Sequence, residues 1–251
     1  MSVVFCGFRG VAFALTVLAS IMGANAANAA SFNNAQKDEI GKIVREYLLK
    51  NPDLLVEVMA ELEAKQASAE QQRQDAAVAA NEKAIYNDPT SFVAGNPNGD
   101  VTIVEFFDYH CGYCKRAFGP LMNAVHDDGK IKLILKEFPI LGPDSVIASH
   151  AALAAEKQGK YFEMHQALYR NKGDLDEQRI MEIAKEVGLD IAKLRRDMAD
   201  PEISKTIARN EKLADALGVK GTPGFIIGGK SHPGALDAEE LAAAVKEARA
   251  N

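Results

Sequence analysis

The sequence predicts an α/β domain with an inserted block of helices, preceded by a separate α-helical amino-terminal segment, and three observations predict it. VTIVEFFDY and IKLILKEFP are β-rich apolar runs flanking CGYCKRAFGPLMNAVHDD, which has a helical pattern. Residues from about 144 to 217 then keep helical periodicity, punctuated by glycine and proline. Residues 31–86 are helical in character and are divided from the first strand by GNPNGD, a cluster of turn formers.

The chain opens with MSVVFCGFRGVAFALTVLASIMGANAANAA: one charge at Arg9, an apolar run from Val11 to Met22, then small residues. This is the layout of a secretory signal peptide, residues 1–26, with Ala-Asn-Ala sites for cleavage after Ala26 or Ala29. The apolar run is shorter than the roughly 20 residues that span a bilayer. Cleavage removes Cys6 and leaves a single cysteine pair, Cys111 and Cys114, in a compartment that permits disulfides.

In the segment that follows, Ile40, Ile43, Val44, Tyr47 and Leu48 share one helical face. Asn51 and Pro52 interrupt it; Asn51 is suited to cap a second helix and Pro52 to open it. Leu54, Leu55, Val58, Met59 and Leu62 make a second stripe, and two short helices cannot bury both stripes alone. From residue 63 to 86 the composition turns to Ala, Gln, Glu and Lys, which reads as a solvated helical stalk or linker. Residues 31–86 are therefore expected to drive self-association and to be removable without loss of the fold.

The domain that follows covers residues 87–251. Its two apolar strands with a helix between them form a unit whose strands must run parallel. Pro120 falls inside the helix. Four or five helices fit between residues 144 and 217, GFIIGGKSHPGA reads as a hairpin turning at Gly228-Gly229, and Asp237 caps a closing helix. The net charge of −6, without a basic stripe, argues against a nucleic-acid partner.

The chemistry rests on Cys111 and Cys114. A tetrahedral zinc site needs four ligands, and the five histidines are scattered with no H-x3-5-H pair, so no metal site is assigned. A two-coordinate copper(I) site needs only two thiolates and stays open. A purely structural disulfide across two residues closes too small a loop to restrain the unfolded chain much. Redox exchange is the favoured reading. A cysteine at a helix start meets unpaired N–H groups and the positive end of the dipole, which favour its thiolate, so Cys111 is the attacking thiol. Cys114, one turn further in, is placed to resolve a mixed disulfide. His126, His150, His165 and His232 read as surface or helix-end residues without chemistry.

A strand, a CxxC opening a helix, a helical insertion, then GTPGF before a hairpin and a last helix resembles the DsbA-like branch of the thioredoxin superfamily, over residues 92–251. CGYC is similar to the motif of periplasmic disulfide isomerases. KEFPILGPDS, GKY and GVKGTPGF resemble the subset that includes the ScsC (suppressor of copper sensitivity) proteins, some of which carry a trimerising amino-terminal stalk. The resemblance implies a thioredoxin fold with no cofactor, in a periplasmic thiol-disulfide oxidoreductase, with isomerase favoured over oxidase, reductase or a redox partner for one client. Its implied substrates are exported proteins with cysteines, and its implied redox partner is a membrane electron carrier. The implied assembly is a homo-oligomer, trimer before dimer.

The resemblance also implies that Thr222 and Pro223, joined by a cis bond, face the CxxC and bind substrate backbone, although an ordinary X-Pro bond is trans. It implies that Glu105 lies buried under Cys114, where it could accept the Cys114 proton; strand alternation alone leaves Glu105 free to face solvent, and Lys136 on the next strand is read as its charge partner. His110, Gly112 and Tyr113 are expected to tune the pair, His110 through its charge if protonated.

Overall fold

The computed structural model describes residues 32–250. The signal-peptide reading, its cleavage sites and Cys6 lie outside the described residues. The chain divides after Leu62.

In the first unit, α1 (Asn34–Lys50) opens on a capping box: Asn33 Oδ1 accepts the Gln36 N–H at 2.9 Å and Gln36 Oε1 accepts the Asn33 N–H at 3.0 Å. Asn51 does not take the expected role of cap for the second helix. Its side-chain amide donates to the Tyr47 carbonyl at 2.9 Å and so closes α1. α2 (Asp53–Ala80) follows after Pro52. Both apolar stripes face outward: Ile43 is 59% exposed, Tyr47 58%, Val58 55% and Met59 61%.

The second unit is built on a five-stranded sheet of order β1-β3-β2-β4-β5, with β1 Phe92–Gly95, β2 Val101–Phe107, β3 Ile131–Glu137, β4 Gly224–Ile227 and β5 Lys230–Pro233. β2 and β3 are parallel and every other pairing is antiparallel. The helix between β2 and β3, α4 (Gly112–Asp128), buries Cys114, Ala117, Leu121 and Val125, one stripe at helical spacing, and ends at Gly129 with φ 64°, a left-handed conformation that glycine adopts without strain. At the hairpin, Gly228 and Gly229 have φ of 56° and 83°, as a two-residue turn with both residues left-handed requires.

Five helices lie between β3 and β4: α5 (Pro143–Glu156), α6 (Tyr161–Arg170), α7 (Glu177–Glu186), α8 (Ile191–Met198) and α9 (Pro201–Ala216). Asp176, Asp190 and Asp200 each accept a backbone N–H at the head of α7, α8 and α9. Asp237 does the same for the last helix, α10 (Ala238–Ala250). Strand β1 is four residues long and carries too little alternation to stand out in the sequence.

Both faces of β2 and β3 are covered. One face sends Ile103, Phe107, Leu133 and Leu135 into a core shared with α4 to α8. The other sends Val104, Phe106 and Ile134 into a second core with Leu213 of α9 and Leu217, the residue that caps it. Val78 and Ile85 also enter that second core, which corrects the reading of residues 63–86 as wholly solvated. α2 ends at Asn81, whose amide donates to the Ala77 carbonyl at 2.8 Å, and the short helix α3 (Glu82–Tyr86) brings Ile85 to 0% exposure. Two large apolar residues make no periodic stripe, so the sequence hid this anchor.

Candidate active site

The Phe107 strand end leads through Asp108, Tyr109 and His110 into Cys111, which is the N-cap of α4. Asp108, wholly buried, organises this corner: its Oδ1 accepts the His110 N–H at 2.7 Å and the Ser145 hydroxyl at 2.8 Å, and its Oδ2 accepts the Leu141 N–H at 3.0 Å. Cys111 Sγ accepts the Cys114 N–H at 3.5 Å, so a helix-start donor points at this sulfur and would favour its thiolate. Its S–H donates to the Thr222 carbonyl at 3.1 Å. The Thr222–Pro223 peptide is cis and its loop faces the CxxC, as the resemblance implied.

Cys114 is fully buried and Cys111 5% exposed; both are free thiols. Burial pushes the Cys114 thiol up, and the nearby Glu105 carboxyl adds to that shift. Cys114 thus holds its proton until a base takes it. Glu105 is 1% exposed, which removes the solvent-facing alternative, and its Oε2 has no hydrogen-bond partner among the described residues. Burial, reinforced by the charge of Glu137, pushes its pKa up to about 8.

Lys136 is not the partner of Glu105. In the parallel register Glu105 pairs with Leu135, while Lys136 pairs with Phe106 and points to the opposite face of the sheet. There its ammonium donates to the Ala84 carbonyl at 2.8 Å and to Asp88 Oδ2 at 3.2 Å. The His110 ring is held at both nitrogens, Nε2 by the Leu175 carbonyl at 3.0 Å and Nδ1 by the Ser145 hydroxyl at 3.2 Å. Any influence on Cys111 therefore passes through charge, not through a hydrogen bond from the ring. Gly112 is exposed, and the Tyr113 ring stands 61% exposed with the Arg116 guanidinium 4.2 Å from its centroid.

Sequence reasoning missed a polar cluster on the same sheet face. Glu137 Oε1 accepts the hydroxyls of Tyr161 at 2.8 Å and Tyr109 at 2.9 Å, and its Oε2 accepts Ser149 at 2.7 Å. Burial pushes Glu137 up to about 8 while these three donors pull it back. His165, read as a surface residue, is fully buried: its Nδ1 meets the Tyr109 hydroxyl at 3.0 Å, and burial pushes its pKa down to about 3, so the ring is neutral. Tyr169 places a hydroxyl without a hydrogen-bond partner among the described residues in the same region, and Glu105 and Cys114 both act on it electrostatically. A Glu in each of two strands with apolar neighbours was the available signal, and it was used for Glu105 alone.

Replacing Glu105 with Gln is expected to leave the fold intact and to slow release of a Cys111 mixed disulfide by about a hundredfold, the usual contribution of a positioned acid or base. It is also expected to change stability against pH. A carboxyl held at about 8 in the folded chain and near 4.5 when unfolded contributes stability that is full below pH 4.5 and lost as pH rises through 8. The variant is expected to flatten the decline in urea midpoint between pH 5 and 8; an unchanged slope would remove Glu105 from this account.

A family model described as thioredoxin matches residues 87–247, and one described as the copper resistance protein ScsC N-terminal domain matches residues 36–69. A solved thioredoxin-like oxidoreductase from Silicibacter pomeroyi DSS-3 is 45% identical and covers 68% of this chain and 99% of its own, with a TM-score of 0.67. ScsC of Proteus mirabilis in a transitional conformation is 34% identical and covers 88% of this chain and 98% of its own, with a TM-score of 0.64. The thiol-disulfide exchange protein alpha-DsbA2 of Wolbachia pipientis is 34% identical and covers 71% of this chain and 97% of its own, with a TM-score of 0.67. Curated relatives include a Na(+)/H(+) antiporter NhaA 1 of Salinispora arenicola, 33% identical over 62% of this chain. The chain spans about a quarter of the length of these antiporters, 24% for that one.

Proposed function

Because the chain belongs to the thioredoxin family, as a ScsC-like, DsbA-type thiol-disulfide oxidoreductase, we propose that it is a periplasmic disulfide isomerase that works as a homotrimer. The observation that carries this reading is the pair of exposed apolar stripes on α1 and the start of α2, attached in sequence to a buried CGYC site. A second copy of the chain covers such stripes by symmetry, and a trimer sets three Cys111 sites around one substrate, with a dimer as the next simplest assembly.

In the proposed reaction the Cys111 thiolate attacks one sulfur of a substrate disulfide, that S–S bond breaks, and the departing sulfur carries the electron pair away as a thiolate. A mixed disulfide remains on Cys111. Rearrangement follows when another substrate thiolate displaces Cys111, or resolution follows when Cys114 attacks Cys111 Sγ while Glu105 takes the Cys114 proton. The substrate backbone lies along Thr222 and Pro223, and His110, Gly112 and Tyr113 adjust the pair. Substrates are exported proteins with cysteines, and a membrane thiol-disulfide carrier resets the pair.

Sedimentation of the mature chain at micromolar concentration tests the assembly: a trimer is expected, and a monomer would end the proposal. The description of the matched amino-terminal family as a copper resistance protein favours one second reading, a copper(I) site on the two sulfurs. A titration of the reduced protein against a copper(I) competitor decides it, since affinity no better than millimolar removes that reading.

A further inference from the structure

We propose that Glu137 is a positioning residue for the exchange reaction: it loses its proton before Glu105 does, and its buried charge then keeps Glu105 protonated, so that Glu105 meets Cys114 as an acid. This rests on the reading of Cys111 and Cys114 as an exchange pair and adds a second carboxyl to it.

The geometry begins with register. Glu105 pairs with Leu135 and Glu137 with Phe107, so the two carboxylates leave one face of the sheet, diagonal to each other across β2 and β3. Both are 1% exposed. Two like charges this near in a dry interior cannot form together cheaply, and the pair titrates as a unit. The order within the pair follows from hydrogen bonds. Glu137 faces Ser149 from α5, Tyr161 from α6 and Tyr109 from the loop after β2, and all three hydroxyls can donate to its carboxylate. When Tyr109 donates its one proton to Glu137, its oxygen is left to accept from His165, which assigns the proton of the neutral ring to Nδ1; Nε2 has no partner among the described residues to oppose that tautomer. Glu105 faces Cys114 from α4 and Tyr169 from α6, and its Oε2 has no donor. The charge therefore settles on Glu137 first, because its three hydrogen-bond donors favour ionisation while Asp108, whose negative field opposes it, is the smaller influence.

The consequence is directional. When a substrate thiolate attacks Cys111 Sγ in the oxidised pair, the Cys111–Cys114 bond breaks and Cys114 leaves with the electron pair. The Glu105 proton passes to Cys114 Sγ, leaving Glu105 ionised beside a neutral thiol. In the reverse step Cys114 returns that proton to Glu105 as it closes on Cys111. Glu137 extends upward the pH range in which the acid form of Glu105 is available.

The test follows the carboxyl stretch of Glu105 by infrared spectroscopy of the full mature chain in its reduced state, the band being assigned by its loss in Glu105→Gln. In Glu137→Gln its titration midpoint is expected to fall by about one pH unit, a roughly tenfold change in proton affinity. Decay of a Cys111 glutathione mixed disulfide is expected to reach its fast limit at correspondingly lower pH. The shift in decay must vanish in the Glu105→Gln background. A midpoint that stays in place, or a decay shift that persists without Glu105, overturns the proposal. Should Glu137→Gln fail to fold, Tyr161→Phe strips one donor from Glu137 and is expected to move the Glu105 midpoint down by a smaller amount; no movement there overturns it equally. A wild-type chain with no thiol exchange would sink the functional reading instead, and the infrared midpoint would still judge the carboxyl pair.

Discussion

Cys111→Ser is expected to abolish thiol exchange, and Cys114→Ser is expected to keep the attack and accumulate mixed disulfides with substrate. The two sulfurs differ in place more than in chemistry. Cys111 sits at the N-cap with a backbone N–H aimed at it and the Thr222 carbonyl at 3.1 Å, where a substrate strand can reach it. Cys114 is 0% exposed, and burial pushes its thiol up, which supports the proposed role of a sulfur shielded from substrate that acts on its neighbour. Non-reducing electrophoresis of each variant after incubation with a disulfide substrate reads the difference directly. Equal capture by both variants would contradict the assignment of roles.

Removal of residues 32–62 is expected to give a folded monomer that keeps dithiol exchange and loses isomerase activity by on the order of tenfold or more, because the gain from several linked sites disappears. The cut must fall there and not after Tyr86. A truncation through Tyr86 also takes Val78 and Ile85 from the second core and the Ala84 carbonyl from the buried Lys136 ammonium. Loss of one buried large aliphatic side chain alone costs about 2–5 kcal/mol. Thermal melts of the two truncations are expected to separate clearly, the longer deletion melting lower. Equal melting temperatures would show that residues 78–86 contribute nothing to the fold.

What could be read from the sequence was local. The CGYC spacing, the helix behind it and the GTPGF loop are carried by neighbouring residues, and the structure places them together with Cys111 Sγ bonded to the Thr222 carbonyl. What depended on register was not readable. Lys136 and Glu105 look like charge partners on adjacent strands until the parallel pairing sets Lys136 opposite Phe106. The burial of Glu105 required knowing that its face of β2, the one carrying Ile103 and Phe107, is covered by α4 and the inserted helices, which reach it from distant parts of the chain. The Glu137 cluster joins Tyr109, Ser149 and Tyr161, and through Tyr109 reaches His165, 56 residues further along; no spacing rule links them. A buried histidine with one bare nitrogen resembles a surface histidine when only its sequence neighbours are seen.

The central claim, an isomerase whose stalk gathers several CGYC sites, meets its most direct test in one paired measurement. The mature chain is given a scrambled-disulfide substrate and, in parallel, the same substrate fully reduced, and recovery of native pairing is followed in both. The account predicts that the full chain rescues the scrambled substrate faster than the chain lacking residues 32–62, while the two oxidise the reduced substrate at similar rates. Equal rescue by both chains, or oxidation by the full chain without rescue, would contradict it.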